Sequence, residues 1–358
     1  MDGDFDLDHC WQPSERPGLW LGSDFNRVTI SIDRWIADLS SLAIYARFRL
    51  FYGLVRNTRM KYRKLIVVGD PHISPKPGEH RGVDSAAVLE RLIEHVNVNH
   101  ADAEMCLFLG DLTNEGEPAA FKRFKSLIKP LNLPVALMVG NHDNRANFQA
   151  VFPDVDTDPN GFVQYVRDFS NDYRLIVLDT LNGPPYESLR RHVGMLSAER
   201  IEFLKNSLDE AAGRPVVIAL HHHPFEIGLP GMDTIRLMNG PEFVKIVNDS
   251  PNVKMVLFGH NHRQISGLVQ GVPFACFSSL SPQTPFSLTS LDPAGGIAES
   301  PHYGVVLLTP EGVLVHREDF TCTDEPSSNF DEQLANDPQM AAGIQMLAKA
   351  MLPDYEWD

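Results

Sequence analysis

Five short segments of this chain place metal-binding residue types next to the expected ends of buried strands. They are GDPH at 69–72, GDLTNEG at 110–116, GNHD at 140–143, HHHP at 221–224 and GHNH at 259–262. Each follows a run of β-branched and apolar residues, so we expect a strand to end and a loop to begin there. Carboxylate, amide and imidazole groups bind divalent metals. The donors selected from these segments are Asp70, His72, Asp111, Asn141, His222, His260 and His262.

This set of donors suits two adjacent metal ions. Asp111 is the natural bridge, because a carboxylate has two oxygens and each can bind one metal. The first metal is assigned to Asp70, His72, Asp111 and His262, and the second to Asp111, Asn141, His222 and His260. Protein ligands in this number leave room for water, which is typical of a catalytic site. A hydroxide that bridges two ions roughly 3.5–4 Å apart could attack phosphorus in line, so the segments predict phosphoester hydrolysis.

Two neighbouring residues are candidates for proton transfer. His142 follows Asn141 and is the expected proton donor to the leaving alkoxide, and Asp143 could orient His142 or hold its charge. The alternative is that His142 only packs within its loop.

The three consecutive histidines require a choice. If residues 215–220 form a strand, alternation places His221 and His223 on one face and His222 on the other. We therefore expect His222 to bind metal, and the other two to lie behind it or to face the substrate. His192 and the remaining histidines show no partner pattern and are expected to be surface or packing residues.

Composition limits the partners and the compartment. The 358 residues carry 31 basic and 47 acidic side chains, a net charge of −16, which disfavours binding to nucleic acid or to anionic membranes. The four cysteines show no CxxC pattern, which suits a reducing compartment. The acidic N-terminus lacks the features of a secretory signal, and no apolar run reaches the ~18 residues of a membrane span. We predict a cytoplasmic protein with a small anionic substrate.

The chain alternates strand and helix patterns after Met60. Short apolar runs predict strands at 64–69, 105–110, 134–140, 161–168, 173–180, 215–220 and 254–259, and apolar periodicity predicts helices near 85–99, 117–129 and 198–211. Residues 263–318 are mostly strand and turn, interrupted by a Pro-, Ser- and Gly-rich loop from Ser281 to Ser300. This order predicts an α/β fold in which two sheets pack face to face with helices outside.

Three regions follow from these patterns: an N-terminal extension at 1–59, a catalytic domain at 60–320 and a tail at 321–358 with a helix near 335–350. The extension has three interpretations. The extension is a helical segment that packs on the domain or on a second subunit, or residues 35–56 form an amphipathic helix for an anionic lipid surface, or the extension is a product of start-site choice and the true start is Met60. Basic and apolar residues are mixed around the helix, which argues against the lipid interpretation.

The five segments resemble, in order and spacing, the five sequence blocks of the calcineurin-like metallophosphoesterase superfamily over roughly residues 62–320. HHHP, the GMDTIRLMN segment at 231–239 and GHNH look most like the class III cyclic nucleotide phosphodiesterases and the bacterial glycerophosphodiesterases. The resemblance implies a four-layer α/β/β/α sandwich of two mixed sheets, the same ligand roles, and iron, manganese or zinc. GDLTNEG lacks the arginine of the protein-phosphatase block GDxxDRG, which argues against a phosphoprotein substrate.

The expected function is therefore a dinuclear metal-dependent phosphodiesterase that hydrolyses small diesters, either 3',5'-cyclic nucleotides or glycerophosphodiesters. A phospholipase C-like or phosphonate-ester hydrolase activity on the same site is the nearest alternative. A non-catalytic scaffold of the same fold is a further alternative, but the presence of every expected metal donor argues against it.

Overall fold

The computed structural model describes residues 62–79, 81–170, 172–184, 186, 190–293, 295–322 and 336–351. The interpretations of residues 1–59 lie outside these residues. The chain divides into two units, Met60–Glu325 and a second one that combines Met1–Arg59 with Pro326–Asp358. In the second unit the description covers one helix, Pro338–Met351, close to the helix expected near 335–350. None of the described helices is both long and apolar enough to cross a membrane.

The larger unit alternates strands and helices. Its strands are β1 (Arg63–Val68), β2 (Met105–Phe108), β3 (Val135–Leu137), β4 (Tyr165–Asp168), β5 (Arg174–Val177), β6 (Val216–Leu220), β7 (Val253–Phe258), β8 (Ile265–Val269), β9 (Val272–Cys276), β10 (Tyr303–Thr309) and β11 (Gly312–Glu318). Its helices are α1 (Ser85–Asn99), α2 (Pro118–Leu127), α3 (Arg145–Val151), α4 (Ala198–Glu210), α5 (Pro230–Asp233) and α6 (Gly240–Asn248).

Two mixed sheets carry the fold. The first has the strand order β11-β10-β1-β2-β3, and the second has the order β4-β5-β6-β7-β9-β8. Strands β1, β2 and β3 are parallel, as are β5, β6, β7 and β9, whereas the outer partners pair antiparallel. The parallel strands of each sheet therefore end at a common edge, which is where ligands bind in α/β folds.

Side-chain alternation in the second sheet separates two cores. In β5, Leu175 and Val177 belong to a core shared with the first sheet, whereas Ile176 packs with the outer helices α4 and α6. Two tyrosine hydroxyls also cross between the sheets, from Tyr165 to the Leu137 carbonyl at 2.9 Å and from Tyr173 to the Thr309 carbonyl at 3.0 Å. With α1 and α2 on the outer face of the first sheet, this is the predicted four-layer α/β/β/α sandwich.

The element boundaries differ from the sequence prediction mainly at strand ends. Asp84 caps α1, because its carboxylate accepts hydrogen bonds from Ala86 N and Ala87 N. Helix α3 was not predicted; it begins after Asn144, whose side chain accepts a hydrogen bond from Asn147 N. Strands β2 and β3 end two or three residues before the predicted position. The residues that follow these strand ends form the loops that carry the site.

Candidate metal centre

The five predicted loops converge at one edge of the sandwich. Asp70, Asp111 and Asn141 follow β1, β2 and β3, and the HHH and GHNH segments follow β6 and β7. Hydrogen bonds join neighbouring loops, including His72 N to Asp111 O at 2.9 Å and Ser279 Oγ to Asp70 O at 2.7 Å. The strand order of the two sheets thus brings together residues that are far apart in the sequence.

The first group, called cluster A, consists of Asp70, His72, Asp111 and His262. Each offers one ligand atom, and these atoms lie within 4.8 Å of one another. His72 Nε2 lies 2.8 Å from His262 Nε2 and 3.5 Å from Asp111 Oδ2, and His262 Nε2 lies 3.9 Å from Asp70 Oδ1. Cluster A contains the four residues that the sequence assigns to the first metal.

The protonation of cluster A favours a cation. Burial lowers the pKa of His72 well below its usual range and the pKa of His262 to about 4, so both rings are neutral at pH 7. His262 Nδ1 faces the Pro282 carbonyl at 2.9 Å, so Nδ1 carries the proton and Nε2 presents its lone pair to the cluster. Burial also raises the pKa of Asp70 to about 8, so the carboxylate keeps its proton at pH 7 unless a cation compensates its charge, and Asp70 Oδ2 has no hydrogen-bond partner among the described residues. A cation would satisfy these atoms.

The second group, called cluster B, consists of Asn141, His221, His222 and His260. Ligand atoms of the three histidines lie within 4.8 Å of one another, and Asn141 Oδ1 lies 3.0 Å from His221 Nε2. His222 Nδ1 is 2.8 Å from Thr180 Oγ1, while His222 Nε2 is buried and lacks a hydrogen-bond partner in the described part of the chain. Burial lowers the pKa of His222 and His260 well below the usual range, which leaves both rings neutral.

The alternation argument for the three histidines is wrong. Strand β6 ends at Leu220, so the histidines lie beyond the ladder, and all three are fully buried. His221 faces the site as well as His222, because His221 Nε2 lies 3.3 Å from Asp111 Oδ2. His223 instead points towards Asp233, with Nε2 3.4 Å from the carboxylate.

His221 is poised to hold either a second proton or a metal. Its Nδ1 lies 2.8 Å from the Leu109 carbonyl oxygen and therefore carries a proton. Its Nε2 faces two oxygens, Asn141 Oδ1 and Asp111 Oδ2, which would repel a lone pair unless a proton or a cation lies between them. Burial opposes a positive charge here, but the Asp111 and Asp70 carboxylates outweigh it and raise the pKa of His221 to about 9.

Asp111 belongs to cluster A and also borders cluster B. Its Oδ2 approaches His72 of cluster A and His221 of cluster B, and its Oδ1 accepts a hydrogen bond from His142 N at 2.8 Å. Burial alone would raise the pKa of Asp111, but the charges of His221 and His142 and the hydrogen bond from His221 hold it well below its usual range. The carboxylate is therefore ionised, and a single oxygen, Oδ2, faces histidines of both clusters.

Backbone strain is concentrated at the predicted metal ligands. Nine described non-glycine residues have a positive φ, and five of them are predicted metal ligands: Asp70, His72, Asp111, His260 and His262. Their φ values, from 43° to 68°, lie in the left-handed region, which costs of order 1 kcal/mol or more for each such residue. Such conformations persist where the surrounding structure fixes them, as it commonly does at binding sites.

Two glycines in the site loops allow the backbone to approach the carboxylates of predicted metal ligands closely. A Cβ atom at Gly140 would lie 2.2 Å from Asp111 Oδ1, and a Cβ at Gly259 would lie 2.7 Å from Asp70 Oδ2. Neither position can hold a larger residue without displacing a donor carboxylate. Gly140 in GNHD and Gly259 in GHNH are therefore required for steric reasons.

His142 and Asp143 do not form the pair that the sequence suggests. His142 Nδ1 lies 2.8 Å from the Asn114 carbonyl oxygen, which orients the ring. The Asp143 carboxylate instead accepts hydrogen bonds from Leu112 N, Thr113 N, Thr113 Oγ1 and Gly140 N at 2.9–3.1 Å. Burial, then the Asp111 charge, raise the pKa of Asp143 to about 6 against these bonds. Asp143 thus ties the loop of Asp111 to the loop of Asn141.

Sequence reasoning missed one residue at the site. His192, which was expected to be a surface or packing residue, lies in a short 3-10 helix, Arg190–His192. Its Nδ1 is 2.9 Å from Asn141 Nδ2, and its ring centroid is 5.3 Å from that of His142. Asn141 Nδ2 is a donor, so His192 Nδ1 accepts, and this contact turns Asn141 Oδ1 towards cluster B. No motif or periodicity in the sequence around His192 indicates this role.

Comparisons with known proteins agree with this geometry. The profile of the calcineurin-like phosphoesterase family matches residues 63–264, more than half of the chain. A probable cyclic nucleotide phosphodiesterase of Rhodopseudomonas palustris is 35% identical over 258 residues, which cover 72% of this chain and 92% of that protein. A probable glycerophosphodiester phosphodiesterase of Arcobacter nitrofigilis is 29% identical over 258 residues, covering 70% and 91%.

A solved structure shares the fold. The dimetal phosphatase from Danio rerio superposes with a TM-score of 0.55 at 15% identity, and the match covers 72% of this chain and 96% of that one. At this level of sequence identity, the similarity supports a shared fold and nothing more specific. The sequence matches, the sandwich and the two donor clusters lead to one conclusion: the chain belongs to the calcineurin-like phosphoesterase family.

Proposed function

We propose that this protein is a dinuclear metal-dependent phosphodiesterase that hydrolyses small diesters, with 3',5'-cyclic nucleotides and glycerophosphodiesters as the first candidates. The observation that carries the proposal is the position of Asp111, whose ionised carboxylate lies between two groups of buried neutral histidines. The names of the two relatives support the choice of diesters.

The donor atoms fit two borderline divalent ions, and iron, manganese or zinc suits imidazole combined with carboxylate. Asp70, His72, Asp111 and His262 would hold the first ion, and Asp111, Asn141, His222 and His260 the second. His221 is close enough to Asp111 to serve as a further donor at the second position. Two bound ions would activate a water as nucleophile and offset charge on the phosphoryl oxygens.

The chain itself supplies the groups around the reacting diester. Since His142 Nδ1 carries the proton that faces a carbonyl oxygen, the other ring nitrogen, Nε2, can give a proton to the leaving oxygen when the ring is in its doubly protonated imidazolium form. The His142 ring lies 4.7 Å from that of His72 and 5.3 Å from that of His192, so it borders both the first cluster and Asn141. Arg191 Nε donates to the Asn141 carbonyl at 3.3 Å and fixes the same loop.

One observation favours a second candidate, a diester with an apolar group, as in a phospholipase C-like reaction. Pro282, which orients His262, begins the loop that exposes Phe286, Leu288 and Leu291 to 66%, 63% and 72%. Exposed apolar side chains on one loop are a feature of surfaces that bind apolar ligands.

A turnover panel tests the proposal. The full chain, reconstituted with Mn²⁺, is assayed on bis(p-nitrophenyl) phosphate, cyclic AMP, glycerophosphoethanolamine, a phospholipid and a phosphonate monoester. We expect hydrolysis of the first compound and a preference for one of the small diesters. Asp111→Asn, which keeps the shape of the side chain and removes the bridging charge, should lose at least about 100-fold in kcat. A metal-loaded wild-type protein that cleaves none of the five compounds would overturn the proposal in favour of a non-catalytic scaffold.

A further inference from the structure

A third group of metal-binding side chains lies in the larger unit and shares no residue with clusters A and B. It consists of His95 in α1, His100 directly after α1, and Glu318 at the end of β11. Each offers one ligand atom, and the three atoms lie within 4.8 Å of one another. The group links the C-terminal end of a helix to the edge strand of the first sheet.

His100 has ring nitrogens that the described residues do not satisfy. Both His100 Nδ1 and His100 Nε2 are buried and have no hydrogen-bond partner among the described residues. Leaving a buried polar group unpaired is unfavourable, and a bound cation would remove that penalty. Burial, then the nearby Lys64 ammonium, lower the pKa of His100 to about 4, so the ring is neutral at pH 7 and able to bind a cation.

His95 is oriented as metal-binding histidines usually are. Its Nδ1 lies 2.8 Å from the hydroxyl of the buried Tyr303, and its Nε2 lies 4.0 Å from Glu318 Oε1. Donation from Nδ1–H to the hydroxyl would leave the Nε2 lone pair facing the carboxylate. Histidines that bind metals commonly donate their other N–H to an oxygen in this way.

The spacing and the local charge also suit a divalent ion. Zinc–ligand distances of about 2.0–2.1 Å place two ligands of a tetrahedral site about 3.4 Å apart, so the 4.0 Å separation must close by less than 1 Å. The Glu318 side chain is 37% exposed and can make that movement. The Lys64 ammonium, which lowers the pKa of His100 as His95 also does, already pairs with Asp102 at 2.6 Å.

We propose that His95, His100 and Glu318 form a separate site for zinc or a similar borderline divalent ion, with water in the remaining position. Two imidazoles and one carboxylate are a donor set that zinc accepts. The bound ion would connect α1 to β11 and so stabilise the edge of the first sheet, independently of the chemistry at clusters A and B.

Counting the bound ions tests this proposal. The full chain and its variants are dialysed to equilibrium against the same Zn²⁺ concentrations, and the zinc retained per chain is measured by mass spectrometry. We expect the wild type to hold one zinc more than His100→Gln and one more than Glu318→Gln. His316→Gln is the matched control, since His316 is exposed on the same strand and is not part of the cluster. It should bind as the wild type does.

A second measurement addresses folding. Zn²⁺ should raise the melting temperature of wild type and of His316→Gln by more than that of the two cluster variants, while all four hydrolyse bis(p-nitrophenyl) phosphate alike. The difference of one ion does not depend on how many ions clusters A and B hold, so failure of the proposed activity would leave it intact. Equal zinc content and equal thermal shifts in wild type and both cluster variants would overturn the third site.

Discussion

Replacing Asp143 by asparagine separates a role in holding the loops from a role in proton transfer. The carboxylate accepts bonds from Leu112 N and Gly140 N at one oxygen, and from Thr113 N and Thr113 Oγ1 at the other. An asparagine amide can replace only one of these oxygens, because its NH₂ group would face donors. With the NH₂ group on the Thr113 side, the bond from Thr113 N would be lost, and the Thr113 hydroxyl would either turn to accept from the NH₂ group or lose its bond as well.

The magnitude follows from these bonds. Hydrogen bonds to a charged group contribute about 1.5–3 kcal/mol each, so the loss of one or two lowers the free energy of unfolding by about 1.5–6 kcal/mol. For a domain of this size that corresponds to a melting temperature about 3–24 °C lower. Since the bonds join the loops of Asp111 and Asn141, we also expect metal affinity to fall by about 10- to 100-fold.

Asp158→Asn provides the matched control. Asp158 is also buried and accepts four bonds, from Asn160 N, Asn160 Nδ2, Phe162 N and Gln164 Nε2, but it contacts no donor of clusters A and B among the described residues. It should lower the melting temperature less, because the side-chain amides of Asn160 and Gln164 can turn to accept from the new NH₂ group, and it should leave metal affinity unchanged. Calorimetry and metal titration of both variants give the comparison.

A different outcome would refute the reasoning. If Asp143→Asn melts like wild type and keeps its metals, yet at metal saturation slows alkyl diesters more than p-nitrophenyl diesters, then Asp143 acts with His142 in proton transfer. The loop-holding role would then be wrong.

Further predictions concern the site and its support. His142→Ala should slow diesters with poor leaving groups by about 100-fold or more and those with good ones much less, measured as kcat over a leaving-group series; equal slowing would exclude it as the proton donor. His222→Ala should hold one metal ion fewer per chain than the wild type by elemental analysis, and comparison with His221→Ala shows which ring is the stronger ligand. Gly259→Ala should weaken metal binding at least about 10-fold in a titration, because the new Cβ would lie 2.7 Å from a donor oxygen. Arg145→Met should lower stability by about 3–5 kcal/mol in urea unfolding, since it removes two hydrogen bonds to the buried Asp179 carboxylate, whose remaining cation, Arg200, lies 3.6 Å away; a loss below 1 kcal/mol would contradict the importance of the Arg145–Asp179 pair.

The convergence of the loops could be predicted from the sequence because it depends on strand topology. Runs such as KLIVVG and PVVIAL indicate parallel strands, and the ends of parallel strands meet at one edge. The four donors of cluster A therefore lie together although Asp70 and His262 are distant in the chain. The α/β/β/α layers follow from the same alternation of patterns.

Other features of the site depend on tertiary contacts that the local sequence does not encode. His221 was misjudged because the strand ends at Leu220, and alternation holds only within a ladder. His192 reaches Asn141 from a short turn without periodicity. The carbonyl that orients His142 belongs to Asn114, and residue types do not reveal which backbone carbonyl will lie near a side chain.

The central claim is that Asp111 holds two metal ions between clusters A and B. Anomalous diffraction from crystals grown with Mn²⁺ tests it most directly. We predict two peaks on either side of the Asp111 carboxylate, one among Asp70, His72 and His262 and the other among Asn141, His222 and His260. A single peak, or two peaks that Asp111 does not bridge, would contradict the account.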